Sequence, residues 1–346
     1  FNGGGGGPWW GAALVLVTRD LWLHTADQRA VATHYVGCRA WVTYLQSRTD
    51  ADGLVVNEEP GSWCLGDWIL PGEPAPLPGT TALEPALVNT ACLAVCARQV
   101  AAFARLLGQP AEATALDAVA AAAATALHRR FYDPVRACYA HGRNGAEAFA
   151  WAAGAIPPAE QPRVLERLLA HYTARHWRFD TGIIGTPLLL EMFAAWGRAD
   201  LGWRFLRGTD YPSFGYMFAN DATTLWECWE KETGSHCHPM FGAVCAWIIR
   251  EVAGLRPDPA HPGWREFQVH LPCLPNLDAA AATVPTPHGE AHAAWRRREG
   301  GHHLRLSVPP GCTAWLTPPT GGPAIRCGGG DHEFAFPAAN GPAQLG

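Results

Sequence analysis

Helical periodicity dominates most of this chain of 346 residues, and strand-like alternation is nearly absent from residues 11–255. Residues 12–24 and 27–47 carry apolar side chains at three- and four-residue spacing and form one predicted helical hairpin. Residues 82–107 and 110–131 form a second predicted hairpin. Further helical patterns, bounded by glycine or proline, cover about 144–154, 159–173, 187–197, 199–207 and 239–253. Antiparallel helix pairs joined by long polar loops predict an α/α toroid, whose inner helices surround a concave pocket lined by loop residues.

The composition changes after Arg256-Pro257-Asp258-Pro259, which marks a domain boundary. The segments that follow are short, alternate apolar with polar residues and are separated by Pro and Gly turns; they lie around 265–271, 290–297, 303–308 and 313–317. This pattern predicts a small β-sandwich. We therefore expect a Gly-rich lead-in over residues 1–10, a helical domain over residues 11–255 and a β-sandwich domain over residues 256–346.

The charge balance argues against partners that are held by strong electrostatic attraction. The chain has 26 Lys and Arg residues against 31 Asp and Glu residues, and its pI is near 6.3, so it lacks the basic footprint of nucleic-acid or anionic-membrane binding. The run Arg296-Arg297-Arg298 is interpreted as a solvated strand end. No stretch approaches the roughly 18 consecutive apolar residues of a membrane span, and no signal-peptide pattern opens the chain. Because the chain begins with Phe rather than Met, we expect a fragment or a processed product; its compartment and oligomeric state are not indicated.

Eleven cysteines are scattered singly, without a CxxC pair or a repeated metal-ligand spacing. We expect most of them to be small buried apolar residues. Cys237 between His236 and His238 suggests part of a metal site, but a structural zinc needs a second ligand pair at suitable spacing, and none is evident. The sequence therefore predicts no metal site.

The segment from Tyr211 to Trp229 carries the strongest chemical signal. Proline, glycine and asparagine interrupt it, so it is not a good helix, and it leads to Glu227 between Trp226 and Trp229. A carboxylate between two indoles can lie partly desolvated in an aromatic pocket, which suits a general base that acts on water beside a sugar. The alternative is a surface glutamate that begins a helix after a loop. The residues alone leave both interpretations open.

This segment closely resembles the general-base motif of the α-L-rhamnosidases, glycoside hydrolase family 78, written loosely as Y-P-S-x-G-Y-M and then A-T-T-x-W-E-x-W. Other stretches that resemble the family occur in the expected order: Trp10-Gly11-Ala12-Ala13, Gly66-Asp67-Trp68, Asp180-Thr181-Gly182-Ile183-Ile184-Gly185-Thr186 and Ser235-His236-Cys237-His238-Pro239-Met240-Phe241-Gly242-Ala243. The segment with Pro287-His288-Gly289 and Trp295 resembles the family's C-terminal domain. The resemblance implies an (α/α)6 six-hairpin toroid, incomplete at its N-terminus, followed by a small C-terminal β-sandwich.

The resemblance also implies roles for individual residues. Glu227 corresponds to the catalytic base that activates water in this inverting family, and His238 corresponds to a histidine that contacts the bound rhamnose. Trp10 and Trp68 correspond to aromatic residues of the sugar site, where an indole face can cover the apolar face and methyl group of a deoxysugar. The other predicted substrate-binding residues are Trp226, Asp67 and Asp180, of which either aspartate could equally be a turn or cap residue. The implied substrate is a carbohydrate with terminal α-L-rhamnose, and its hydrolysis needs no cofactor.

A general acid is not evident in this chain. Inverting hydrolysis needs two carboxylates roughly 6.5–9.5 Å apart, one for the leaving oxygen and one for water. The resemblance implies that the acid is a glutamate in a motif upstream of the stretch at Trp10, where this chain begins too late to contain it. The only substitutes to consider are Glu58, Glu59 and Glu84, and none has the family motif around it. We therefore expect the isolated chain to be poorly folded or inactive.

Two other functions remain open at the level of the sequence. One is a non-catalytic sugar-binding remnant that keeps the Trp, Asp and His recognition groups. The other is a helical-toroid glycosidase with a different sugar specificity, because a fold alone does not determine the substrate.

Overall fold

A computed structural model describes residues 7–56, 64–72, 83–298, 301–319 and 321–337. The chain divides into two compact units. The first draws its described residues from Phe1–Thr18, Val31–Phe193 and Arg204–Gly242, and the second from Arg19–Ala30, Ala194–Trp203 and Ala243–Gly346.

Helices occupy all the regions that the apolar periodicity predicts, and two further short helices, Pro8–Gly11 and Phe214–Ala219, lie outside those regions. The helices are α1 Pro8–Gly11, α2 Ala13–Thr25, α3 Gln28–Gln46, α4 Pro85–Leu106, α5 Pro110–Phe131, α6 Ala146–Ala153, α7 Gln161–Ala174, α8 Gly185–Ala195, α9 Ala199–Leu206, α10 Phe214–Ala219 and α11 Ala243–Trp247, which continues as a π-helical segment, Ile248–Val252. Short 3-10 helices lie at Ala140–Gly142 and Met240–Gly242. The predicted hairpin of α4 with α5 is confirmed by extensive packing between the two helices, and α2 with α3 forms the other hairpin, in which Leu14 lies against Gly37 and Cys38. Each predicted helix ends within a few residues of its predicted bounds, because the apolar spacing continues until a Gly, a Pro or a polar turn interrupts it. Helix α10 forms in a segment predicted to be a poor helix, because the side chain of Ser213 caps its N-terminus by accepting the N–H of Tyr216.

The hairpin of α4 and α5 forms the centre of the first unit. Most residues of α4 are buried, because α5 and α6 pack against it. Alanine contributes ten of the 22 residues of α5, which favours the helix and allows a close approach to α4. Within the described residues, α4 is also long and apolar enough to cross a membrane by length and composition. Since 78% of its apolar window is buried in the protein, as in the core helix of a soluble protein, this is weak support for a membrane span.

The strands are β1 Tyr132–Asp133, β2 Cys138–Tyr139, β3 Leu255–Pro257, β4 Glu266–His270, β5 Ala279–Thr286, β6 Gly289–Arg298, β7 Gly301–Val308, β8 Thr313–Thr317, β9 Ile325–Cys327 and β10 Gly330–Pro337. Strands β1 and β2 pair in an antiparallel ribbon. The others form two four-stranded sheets, in the orders β10-β7-β6-β5 and β3-β4-β8-β9, and the pair β4 and β8 is parallel. The four segments predicted from alternation correspond to β4, β6, β7 and β8. Strand β5 is not predicted, because alanine has a low strand propensity and the strand depends on pairing with β6.

The two large sheets enclose one apolar core. Its members include Phe267 and Leu316 from one sheet and Trp295 and Leu304 from the other. The predicted small β-sandwich is therefore confirmed. All eleven cysteines lie within the described residues; eight are buried and none forms a disulfide, which agrees with the prediction that most are small apolar core residues.

Candidate active site

Glu227 lies in an irregular loop, Leu225 to His238, that folds back on itself. The backbone N–H of Glu227 donates to the carbonyl oxygen of Ser235 at 2.8 Å, and the N–H of Ser235 donates to Oε2 of Glu227 at 2.9 Å. Gly234 makes this return possible, because its φ is +73° and an added Cβ would lie 2.7 Å from Sγ of Cys228. Glu227 is half-buried, and among the described residues no group hydrogen-bonds to its Oε1. One carboxylate oxygen is therefore held by the loop, and the other is available to a ligand.

His238 lies at the end of the same loop. Its backbone N–H donates to the carbonyl oxygen of Leu225 at 2.9 Å, which brings the two ends of the loop together. Its Nδ1 accepts the N–H of Met240 at 3.2 Å, so a neutral His238 carries its proton on Nε2. The half-buried ring can therefore offer an N–H donor, as recognition of a sugar hydroxyl requires.

The two tryptophans that flank Glu227 pack into the protein interior. Trp226 is only 1% exposed, and its ring stacks on that of His236 at a centroid distance of 4.6 Å. Trp229 is fully buried and stacks on Phe179 at 5.2 Å. Glu227 is thus not a helix-initiating surface residue, since two buried indoles anchor its backbone on either side.

Asp67 is a buried side chain that holds a distant loop. Its carboxylate accepts three backbone N–H groups, from Gly182 at 2.7 Å, Ile184 at 3.0 Å and Gly185 at 2.9 Å. Gly182 and Gly185 allow this approach, because an added Cβ would come within 2.8 Å and 2.3 Å, respectively, of the Asp67 carboxylate. Burial raises the pKa of Asp67 to about 6, although the three N–H donors oppose that shift and the nearby Asp180 adds to it.

Asp180 opens the loop that Asp67 holds, and it is also buried. Its Oδ1 accepts the hydroxyl of Tyr172 at 2.8 Å, and its Oδ2 lies 2.9 Å from Nε2 of His171 and 3.8 Å from Nε of Arg175. Burial and the neighbouring Asp180 carboxylate raise the pKa of Tyr172, so the phenol remains a donor. Both predicted aspartates are therefore engaged by protein groups in this structure, and their contact with a sugar remains a prediction.

Trp68 and Trp10, the two predicted wall residues, are each half-buried. The carbonyl oxygen of Trp68 accepts the N–H of Ile183 at 2.9 Å, which places this residue beside the loop that Asp67 holds. Trp10 lies in α1, and its neighbour Trp9 anchors that helix by donating its indole N–H to the carbonyl oxygen of Val88 at 2.9 Å. Trp68, Asp67 and Asp180 are thus brought to one place, whereas no hydrogen bond within the described residues joins Trp10 to Glu227.

Glu230 is a further residue of this region that the sequence analysis does not select. Its Oε1 accepts the N–H of Gly72 at 2.8 Å and the hydroxyl of Tyr211, so it ties the segment of Trp68 to the loop of Glu227. Burial, and then the hydrogen bond to Glu230, raise the pKa of Tyr211. In the sequence, Glu230 directly follows Trp229, the last residue of the motif, and no further pattern around it indicates a functional role.

The candidate acids give no second catalytic group within the described residues. Glu58 and Glu59 lie outside the described residues. Glu84 precedes α4, and its Oε2 lies 3.2 Å from Nη2 of Arg130 on an exposed face. No group of three or more His, Cys, Asp or Glu residues in the described ranges is arranged to hold a metal ion.

Comparisons with known proteins agree with this architecture. Residues 2–252 match the bacterial alpha-L-rhamnosidase 6 hairpin glycosidase domain, and residues 254–332 match the bacterial alpha-L-rhamnosidase C-terminal domain. An alpha-L-rhamnosidase of Streptomyces avermitilis is 28% identical over 91% of this chain and 30% of its own length. The structure of an alpha-L-rhamnosidase from Dictyoglumus thermophilum has a TM-score of 0.87 and 26% identity, covering 96% of this chain and 40% of that protein. The Streptomyces avermitilis enzyme complexed with L-rhamnose has a TM-score of 0.82 and 25% identity, covering 94% of this chain and 32% of that protein.

The chain therefore spans between three and four tenths of the length of these relatives. Its helical part corresponds to the six-hairpin glycosidase domain and its β-sandwich to the C-terminal domain of those proteins.

Proposed function

The chain belongs to the bacterial alpha-L-rhamnosidase six-hairpin glycosidase family, and we propose that it takes part in the release of terminal α-L-rhamnose from rhamnosides with inversion of configuration. The observation that carries this proposal is the hydrogen bonding of the two carboxylate oxygens of Glu227. Its Oε2 is held by the N–H of Ser235, and its Oε1 has no partner among the described residues. This is the arrangement that a general base for water requires, because the carboxylate is oriented without being neutralised.

In the proposed reaction, Oε1 of Glu227 removes a proton from a water molecule as that water attacks the anomeric carbon of the rhamnose. The glycosidic bond breaks, and the leaving oxygen takes a proton from a general acid. Inversion follows because the water attacks the face opposite to the leaving group, in a single step. We propose that the acid lies upstream of this chain, as the resemblance to the family implies; among the described candidates, Glu84 is paired with Arg130 and has no acid motif around it.

Recognition of the sugar is assigned to groups around Glu227. His238 supplies an Nε2–H donor for a ring hydroxyl, and Trp68 and Trp10 supply apolar ring faces for the methyl group of rhamnose. Asp67 and Asp180 act by holding the loop beside Trp68, with a contact to the sugar as a further proposal. Trp226 is assigned to the support of Glu227, because its ring is stacked on His236.

The test is the hydrolysis of p-nitrophenyl α-L-rhamnopyranoside by this chain and by a form extended upstream with its own coding sequence. Glu227→Gln in the active form should lower the turnover by about 100-fold or more. The matched control is Glu232→Gln, which removes an exposed carboxylate from the same loop and should leave the turnover unchanged. Proton NMR of the first product should show β-L-rhamnose if the mechanism is inverting.

Each outcome separates the competing functions. Turnover by the extended form alone supports the family mechanism with an upstream acid, and turnover by this chain alone contradicts the placement of the acid. If both forms bind L-rhamnose and neither turns over the rhamnoside, the chain is a sugar-binding remnant. Hydrolysis of other nitrophenyl glycosides in preference to the rhamnoside would indicate a different specificity.

A further inference from the structure

The outer face of the sheet β10-β7-β6-β5 carries a cluster of cations. Strand β6 alternates, so Trp295 faces the core while Arg296 and Arg298 point to solvent. Arg297 turns the other way and donates from Nη2 to the carbonyl oxygen of Leu274 at 2.9 Å. The triple arginine is therefore not a uniform solvated strand end, because only two of its three side chains share the outer face.

The neighbouring strand adds two more groups to the same face. In the register of β6 with β7, Arg296 lies opposite His303, and Ala294 lies opposite Arg305. Arg296, Arg298, His303 and Arg305 are all exposed. They extend over three successive rows of the sheet, and we call them the basic patch.

The members of the basic patch do not stabilise one another, since three of the four are arginines. Like charges that lie opposite or next to each other on one face of a sheet repel. Charged residues are common on edge strands, where they prevent edge-to-edge pairing, but β6 and β7 are the two central strands of this sheet. Protection of a sheet edge therefore does not account for these residues.

The basic patch borders an open depression of about 580 Å³ on the sheet. Its floor contains small side chains, Ala279, Ala281 and Ala294, which leave room between the longer cationic groups. Among the described residues, Arg296 and Arg298 have no ion-pair partner, whereas Nε of Arg305 lies 3.0 Å from Oε1 of Glu333. As far as the described residues show, the depression thus offers two guanidinium groups that can pair with an external anion, and a third that is shared with Glu333.

We propose that the basic patch binds a chain of uronic acid residues, that is, an anionic polysaccharide. A guanidinium group matches a carboxylate in a bidentate geometry, and several carboxylates at regular intervals match cations spread over three rows. The alanine floor suits the apolar faces of sugar rings. The choice of a saccharide among anions rests on the proposed function, since we assign a carbohydrate substrate to the same chain. Binding at the basic patch would hold the glycosidase on an acidic polymer that carries rhamnose.

The experiment measures binding to the full chain by isothermal titration calorimetry at low salt, without any hydrolysis. The probes are de-esterified oligogalacturonate, its fully methyl-esterified neutral form and monomeric sodium galacturonate. We expect binding of the de-esterified oligomer only, weakened by added salt because exposed charges are screened. Arg296→Ala with Arg298→Ala should lower the affinity by about tenfold or more. The matched control Arg265→Ala removes an exposed arginine that is not part of the basic patch and should leave the affinity unchanged.

A variant that is expected to raise the affinity distinguishes a loss of the binding site from a folding defect. Glu333→Gln removes the carboxylate that shares Arg305, so it should raise the affinity for the oligomer by a fewfold. The proposal is overturned if the neutral ester or the monomer binds as well as the acidic oligomer, if the double variant binds normally, or if anionic lipid vesicles bind more tightly than the oligomer. No rhamnoside is cleaved in this experiment. A negative result would therefore count against the basic patch as a binding site and would not affect the proposed role of Glu227 in hydrolysis.

Discussion

The indole N–H of Trp229 donates to the carbonyl oxygen of Thr181 at 3.0 Å. This hydrogen bond connects two segments that are 48 residues apart in sequence, namely the loop of Glu227 and the loop that Asp67 holds. The carboxylate proposed as the base and the buried aspartate therefore belong to one continuous network. A change at either end is expected to reach the other through Trp229.

Trp229→Phe should test this connection, because it removes the N–H donor and keeps an aromatic ring. We expect a loss of about 1 kcal/mol in the free energy of unfolding, measured in urea, and a weaker affinity for L-rhamnose. Trp315→Phe is the control, since it removes an indole hydrogen bond of 2.8 Å to Glu266 in the β-sandwich. The control should lose stability without a change in rhamnose affinity; equal rhamnose affinity in both variants would contradict the role of Trp229.

Gly234→Ala should disturb Glu227 more than backbone strain alone can explain. The substitution introduces a Cβ at a φ of +73° and places it 2.7 Å from Sγ of Cys228 and 3.3 Å from Oε2 of Glu227. Gly197→Ala is a matched control, because its φ is +72° and no atom lies within 4 Å of the added Cβ. Both variants should lose about 1 kcal/mol of stability from the backbone. Only Gly234→Ala should also weaken the binding of L-rhamnose, measured by calorimetry, and lower the turnover of the active form.

The sequence predicts the helices and several strands well because their signal is local. The apolar spacing of α5 and the alternation of β8 depend on neighbours a few residues away. Glu227 is also selected locally, by the two tryptophans and the motif around it. The same local context does not indicate that the ring of Trp226 is buried against His236, because that contact depends on how the loop folds back.

Contacts between distant segments could not be predicted in this way. The partners of Asp67 are 115 to 118 residues away, so no spacing in the sequence indicates that its carboxylate receives three N–H groups. Glu230 joins Gly72 across 158 residues for the same reason. Arg296 and Arg297 must point to opposite faces because they are neighbours in a strand, but which of them faces solvent depends on which face of β6 the core covers, and that is decided by the second sheet.

The β-sandwich should lose stability in mild acid because of His270. Burial, with a smaller effect of Arg256, lowers the pKa of His270 to about 4, and among the described residues its buried Nε2 has no hydrogen-bond partner. The unfolded chain takes up this proton near pH 6.5, so the free energy of unfolding should fall as the pH drops from about 6.5 to 4, by up to about 3 kcal/mol. His270→Leu should reduce this slope in urea titrations, whereas His303→Gln, at an exposed histidine, should not.

Asp67 should produce a pH dependence of the opposite sign. Its folded-state pKa of about 6 lies above its unfolded value of 3.8, because burial outweighs the three N–H donors. The folded chain therefore keeps the proton between about pH 4 and 6, and the free energy of unfolding should fall as the pH rises through that window, by up to about 3 kcal/mol. Asp67→Asn has no such proton, so the stability of the wild type relative to this variant should decrease between pH 4 and pH 7.

The same substitution has a second consequence, which does not depend on titration. In the Asp67→Asn variant, the side-chain oxygen can still accept the N–H groups of Ile184 and Gly185, but the new amide nitrogen would face the N–H of Gly182, where two donors meet. Asp67→Asn should therefore weaken rhamnose binding at neutral pH, because the loop shifts and Trp229 follows its acceptor Thr181. Asp210→Asn, which removes an exposed carboxylate paired with Arg178, is the control. Parallel stability curves for the wild type and Asp67→Asn, together with unchanged rhamnose affinity, would show that Asp67 is uncoupled from the site.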